Sequence, residues 1–317
     1  MNNVKGFGET TFVIDLQTQK HWDWHVATYL YGFGASAGLV FLAVLLRGSG
    51  VLDQPTALWG IWIALGAGLV ALVFLFGHLG PRSRWRVLYV LRRPRSSWTA
   101  RGATVVSILI FLEAVVLLPT LPGLSGLPWS EGTGAGSALR GGILVFAVAF
   151  MAYSGLVLSS WNSIAFWNTP ALPILFVSNS FLCGMAALLV IALAVDAGAG
   201  LAARALYSAL YPYLLTMLLA NVFMLLVYLW GMSTATLPAR ESVRRLVRGQ
   251  HRSNFWIGTV GLGLAFPLGG IAVAIGSQLG TDVAARMLLL AVCLGIHVGG
   301  LMLRDNVLRV GIYGYPV

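Results

Sequence analysis

The sequence predicts an all-α polytopic membrane protein: eight transmembrane helices in a bundle, with both termini on the same side. Three observations predict it. Apolar runs of about twenty residues recur along the chain, each long enough for a hydrocarbon core of ~30 Å at ~1.5 Å per residue. The 317 residues are 58% hydrophobic and 9% charged, where a soluble domain carries roughly 25% charged residues. The remaining charges collect between the runs. The short alternating segments of a transmembrane β-barrel are absent.

Residues 1–24 are polar, with no apolar core of a cleavable signal, and read as an N-terminal interfacial segment. Spans are expected at 25–46, 57–77, 102–121, 140–161, 170–195, 205–232, 255–279 and 283–303. They form one transmembrane domain, 25–303, followed by a C-terminal tail, 304–317. The sixth is longer than a bilayer requires, which leaves room for tilt. Between the second and third spans, Gly77–Ala103 holds Arg82, Arg84, Arg86, Arg92, Arg93, Arg95 and Arg101 and no acid. With an even number of spans, this linker, 162–169, 233–254 and both termini share one side, here side A. Side A holds 16 of the 20 Lys and Arg; Arg47, Arg140, Arg204 and Arg286 fall on side B. The positive-inside bias makes side A cytoplasmic. The net charge of +10 therefore reports orientation rather than nucleic-acid binding, and some of these arginines can also form a docking face for an acidic partner. The long side-B linker, Pro119–Leu139, is rich in Gly, Ser and Pro and reads as a flexible exterior loop. Cys183 and Cys293 lie in apolar runs without a Cys-x-x-Cys, so the chain is expected to hold no iron–sulfur cluster and no disulfide framework. No soluble domain and no internal repeat is legible.

Ionisable groups at membrane depth are costly and are functional candidates. Asp23, His25 and Tyr29 open the first span; His25 and Tyr29 are four apart and share one helix face. Trp22 and Trp24 fit an interfacial aromatic belt. Gly32, Gly34, Ser36, Ala37 and Gly38 follow, where a neighbouring helix or a flat ligand can approach closely. His78 closes the second span, as an interfacial or a functional histidine. Glu113 falls near mid-membrane in the third, as a proton-relay member or a helix–helix hydrogen bond. Tyr153 and His297 lie about two turns from the side-A ends of their spans, at the depth of His25, Tyr29 and His78. Such a set resembles a lined pocket more than scattered anchors. Phenols and imidazoles are donors that exchange protons, as a quinone's carbonyl oxygens require. Embedded haem is disfavoured: of five histidines, His21 and His251 lie in polar segments, and no facing pair at matched depth is evident.

WDWHVATYLYGFGASAGLVFLAVLLR in the first span, HLGPRSRWRVL and SSWTARGA around the basic linker, YSGLVLSSWNSIAFWNTPALPILFVSNSFLCGMA across the fourth and fifth, and the closing LRDNVLRVGIYG together resemble the NrfD / polysulfide-reductase membrane-subunit (PsrC-like) family. The resemblance spans nearly the whole chain. It implies an eight-helix quinone-binding subunit of the cell inner membrane that binds no haem or iron–sulfur cluster. Such a subunit passes electrons between a partner iron–sulfur protein and the quinone pool, menaquinone or ubiquinone. It anchors that partner and a catalytic, often molybdopterin, subunit. The resemblance matches Tyr153 to the family's quinone-contacting tyrosine in Tyr-x-Gly. Tyr29 falls where some relatives have His, and His78 at an acidic or His position. Two departures stand out: an Arg-Pro appears here as Pro81-Arg82, and an Asn of some relatives falls at Val26, where His25 or Asp23 is the available substitute. On this reading Tyr153 and Tyr29 hydrogen-bond the quinone, with His25 and His78 beside them. His78, Asp23, Glu113 and His297 transfer protons. Arg82, Arg84, Arg92, Arg93, Arg95 and Trp98 shape the partner-docking surface. The competing readings are a secondary transporter, against which stand the missing inverted repeat and the few mid-membrane charges, and a purely structural anchor.

Overall fold

The computed structural model describes residues 17–78, 97–195, 201–276 and 283–314. Among them, eight helices are long and apolar enough to cross a membrane. In order they are α1 (Trp24–Gly48), α2 (Gln54–His78), α3 (Trp98–Leu117), α4 (Gly134–Ser159), α5 (Ala171–Val195) and α6 (Leu201–Thr234). A short α7 (Leu237–Val247) follows, then a π-helical segment (Asn254–Ala265) that runs into α8 (Phe266–Gly276), and finally α9 (Val283–Arg309). Local chemistry sets several boundaries. The Asp23 carboxylate accepts from the His25 and Val26 amides and starts α1. Asp53 Oδ2 accepts from Thr56 N at the head of α2, and Thr133 Oγ1 from Gly136 N at the head of α4.

α1 and α5 are central: 67% of the apolar stretch of each is buried, against 28% in α2 and α6. They cross at backbone contact. A Cβ on Gly38 would fall onto the Ser180 carbonyl, and one on Gly184 onto the backbone of Gly38. Gly32 likewise admits Ala71 of α2. The small-residue run of the first span thus serves helix packing. The π segment meets α9 the same way, through Gly263 and Gly299. Its wider turn is marked by the Phe266 amide bonding Gly261 O, five residues back.

Both ends of the described chain meet on side A. Thr18 pairs with Ile312 and Ile164 with Tyr313 in isolated β-bridges. The Trp167 indole donates to Val307 O at 2.8 Å, and Gln19 Nε2 to Leu308 O at 2.9 Å.

Four expectations need correction. Residues 233–254 are not plain linker: α7 lies there, with Glu241 buried beneath Arg244 and Arg245 at 2.6 and 2.9 Å. Desolvation pushes the Glu241 carboxyl up, but these two guanidiniums outweigh it and hold it below its ordinary range. Pro119–Leu139 is a staircase of turns, in which each of Leu121, Leu124, Leu127, Ser130 and Thr133 bonds back three residues. The Trp129 indole pins it to Val115 O at 2.9 Å, and Glu131 pins it to Arg47 at 2.7 Å. The last span does not stop at 303, because α9 continues to Arg309. Arg304 is accordingly no tail residue but fully buried. Arg82, Arg84, Arg92, Arg93 and Arg95 lie outside the described residues.

Candidate functional site

The side-A ends of α1, α2, α3 and α4 bring together most of the polar groups that the sequence singles out. Asp23 does three things at once. It caps α1, its Oδ2 lies 3.2 Å from His25 Nδ1, and its Oδ1 lies 3.7 Å from His78 Nδ1 in the last turn of α2. Partial desolvation pushes the Asp23 carboxyl up. The bonds from His25 and from the Val26 and His25 amides outweigh that, leaving it below the ordinary carboxylate range. One carboxylate thus stands between two imidazoles, open to water and held ionised.

One turn deeper, Tyr29 faces His78 at 6.4 Å between ring centroids and Phe33 at 6.1 Å. Phe33 packs on Phe150 of α4 at 5.0 Å, and Phe150 stacks on Tyr153 at 6.1 Å. His25, Tyr29 and Phe33 recur every four residues, so α1 offers them from one face. Tyr153 in turn lies against the bare backbone of α3: a Cβ on Gly102 would sit inside its ring. Among the described residues neither the Tyr29 nor the Tyr153 hydroxyl has a hydrogen-bond partner. Two half-buried phenols with unspent hydrogen bonds, linked through the buried, mutually packed rings of Phe33 and Phe150 and flanked by a His–Asp–His group, make an aromatic cluster with donors at its polar end. Trp98 stands near this end, exposed at the start of α3 with the Arg101 guanidinium 4.7 Å over its ring.

Two expected members lie elsewhere. His297 bonds Tyr31 through Nδ1 at 2.5 Å. Tyr31 and Tyr29 are two residues apart, about 200° around the helix, so α1 separates His297 from the His25–His78 group. Glu113 is buried on α3, ~16 Å along the helix from Gly102. Neither of its carboxyl oxygens has a partner among the described residues, so the helix–helix hydrogen bond expected as one alternative is not made among them.

The second face of α1 carries a group that sequence reasoning missed. Arg304 Nη1 donates to Asn179 Oδ1 and to Gly300 O at 3.1 Å, and Nη2 to Ser180 Oγ at 3.2 Å. Its guanidinium lies 5.6 Å from the Tyr31 ring and 5.0 Å from Phe176. No carboxylate reaches it among the described residues, and Nε has no partner. Gly34 makes room for it, since a Cβ there would meet Nη2 at 2.6 Å. The available signal was the spacing of His297, Gly300 and Arg304 along one face of a helix carried past residue 303.

Comparison with known proteins agrees with this architecture. The family model described as polysulphide reductase, NrfD, matches residues 13–313. Protein NrfD of Escherichia coli is 29% identical over 273 residues, covering 78% of this chain and 83% of that one. The C subunit of polysulfide reductase from Wolinella succinogenes is 27% identical over 270 residues, covering 78% and 81%. An NrfD homolog of Haemophilus influenzae is 22% identical over 266 residues, covering 78% and 82%. A family match across all eight spans leaves one conclusion: this chain belongs to the NrfD polysulphide reductase family.

Proposed function

We propose that the chain is the quinone-reactive membrane subunit of a multi-subunit oxidoreductase, with the Asp23–Tyr153 cluster as its quinone site. The coarser part follows from the family: an integral membrane subunit of a redox complex. The finer part is carried by one observation, the convergence of Tyr29 and Tyr153, with unspent hydroxyls, on a His25–Asp23–His78 group. A quinone supplies two carbonyl oxygens on a flat apolar ring. The phenols donate to the oxygens, with the packed rings of Phe33 and Phe150 as their apolar support. His78, at the water-facing end, exchanges the proton with solvent. Asp23, fixed as an anion, orients both imidazoles. Glu113, isolated ~16 Å deeper, extends the proton path toward side B, and His297 serves a separate branch on the far face of α1.

The partner is an iron–sulfur protein seated on side A, wired to a catalytic, often molybdopterin, subunit. Trp98, Arg101 and the arginines of the 79–96 linker are the docking surface offered to it. Side A faces the cytoplasm of the inner membrane.

The test is Tyr153→Phe and Tyr29→Phe in the assembled complex, assayed for electron transfer to a soluble quinone analogue and to an artificial dye acceptor. Each loses one hydrogen bond to substrate, so quinone-linked turnover falls about tenfold while dye-linked turnover is unchanged. Unchanged quinone-linked turnover in both variants overturns the site. A tagged chain that purifies with no iron–sulfur absorbance overturns the redox reading and favours a transporter.

A further inference from the structure

On side B, at the opposite end of the bundle from the aromatic cluster, lies an open cleft of ≈ 740 Å³. The last turn of α1, the turn at Glu131–Gly132 and the first turns of α4 enclose it. Its lining changes character with depth. The polar lining, Arg47, Ser49, Ser137 and Arg140, lies toward the side-B ends of α1 and α4, and the apolar lining, Val44, Leu45 and Leu144, lies deeper along them and serves as the floor. One helical turn separates the two levels. Val44 precedes Arg47 by three residues on a helix running toward side B, and Leu144 follows Arg140 by four on a helix running away. The rim therefore sits at headgroup level and the floor at the level of the acyl chains. Leu45 is 42% exposed on that floor. The space is kept open by missing side chains, for a Cβ on Gly48, Gly50 or Gly141 would meet nothing within 4 Å.

The charge in the cleft is unbalanced. Arg47 is answered by Glu131 at 2.7 Å, but Arg140, half-buried beside it, makes no ion pair among the described residues. Arginine is the side chain best shaped to grip a phosphate, and in a partly desolvated site its unanswered charge favours an anion. Size decides which anion. A volume of ≈ 740 Å³ suits a ligand of lipid-headgroup dimensions with the start of its chains. An inorganic phosphate would leave the leucine floor uncovered.

We propose that this cleft is a binding site for an anionic phospholipid. Its phosphate lies on Arg140, with Ser137 and Arg47 on the rim, and an acyl chain runs along Leu45 and Leu144. The test is native mass spectrometry of the purified full-length protein in detergent. It is titrated with phosphatidylglycerol or with phosphatidylcholine of the same chains, with and without inorganic phosphate. Wild type is expected to retain phosphatidylglycerol about tenfold over phosphatidylcholine, a margin that Arg140→Gln abolishes. Arg240→Gln, a charge removed on side A, leaves it intact, and inorganic phosphate does not displace the lipid. Gly141→Leu, which fills part of the cleft and spares every charge, lowers retention of both lipids and carries the test should Arg140→Gln fail to fold. Equal retention of the two lipids overturns the proposal, as does an equal loss in Arg240→Gln. Displacement by phosphate alone would make the cleft a free-anion site instead.

Discussion

Gly102 has no side chain because Tyr153 occupies the place where one would go. A methyl there would fall within the phenol ring, so Gly102→Ala tests the position of Tyr153 without touching its chemistry. The ring must move, and the aromatic cluster around it shifts. Quinone-linked turnover is expected to fall on the order of ten- to a hundredfold, the usual cost of misplacing a contact by about an ångström. Melting of the purified protein falls with it, by about 1–3 kcal/mol of overpacking. Normal turnover with lowered stability would mean that Tyr153 only packs. Asp23 gives a second handle. Its folded carboxyl titrates below the ordinary value of 3.8, so its contribution to stability is full above that value and is lost as pH falls through the lower, folded value. Asp23→Asn keeps a competent helix cap but loses the charge facing His25 and His78. Thermal melts should therefore separate the two proteins at neutral pH and converge in strong acid. Added salt should narrow the gap, since the carboxylate is 46% exposed. Asp23, His25 and Tyr29 were legible from sequence because a capping position and an i, i+4 pair lie on one helix. Arg304 with Asn179 and Ser180 was not, because that group exists only where α1, α5 and α9 cross, and no periodicity within a single helix encodes a crossing.

At the scale of elements, apolar length was enough to place all eight spans, because bilayer thickness sets it. What length does not measure was missed. α7 is too short and too charged to register as a span, and its helix is held by Glu241 reaching forward to Arg244 and Arg245, an i, i+3 and i, i+4 pattern. The side-B staircase is ordered by Trp129, Glu131 and turn hydrogen bonds, not by composition. The boundary of α9 was short by six residues because a buried arginine looked like the start of a tail. Glycine patterns were legible as close approach but not as to what approaches. Gly38 and Gly184 prove to be one contact between the two central helices. Gly184→Ala must therefore push α1 and α5 apart, and a loss of about 1–3 kcal/mol is expected in thermal or denaturant unfolding. Gly66→Ala, on α2 where a Cβ would meet nothing within 4 Å, is the control and should melt as wild type or slightly higher. Equal behaviour of the two variants would mean that the α1–α5 crossing does not limit stability.

For the whole molecule the decisive quantity is which way the bundle sits, since the aromatic cluster and the proposed docking surface share side A. Burial of Arg304 removes one charge from the side-A tally, because a guanidinium inside the bundle does not report a loop. The bias survives. Lys20, Arg101, Arg240, Arg244, Arg248 and Arg252 all lie on side A, while on side B Arg47 is already neutralised by Glu131. Lys and Arg near span ends govern insertion, so side A is expected in the cytoplasm. The native thiols, Cys183 and Cys293, are fully buried and leave a silent background for cysteine labelling. Gln250→Cys, exposed between α7 and the π segment, should react with a membrane-impermeant maleimide only after spheroplasts are lysed. Ser125→Cys, exposed on the side-B staircase, should react before lysis. The reverse pattern would turn the molecule over. The proposed quinone site would then exchange its protons with the periplasm, the iron–sulfur partner would dock there, and the side-A arginines would have to be retained for docking strongly enough to override the topology they otherwise dictate.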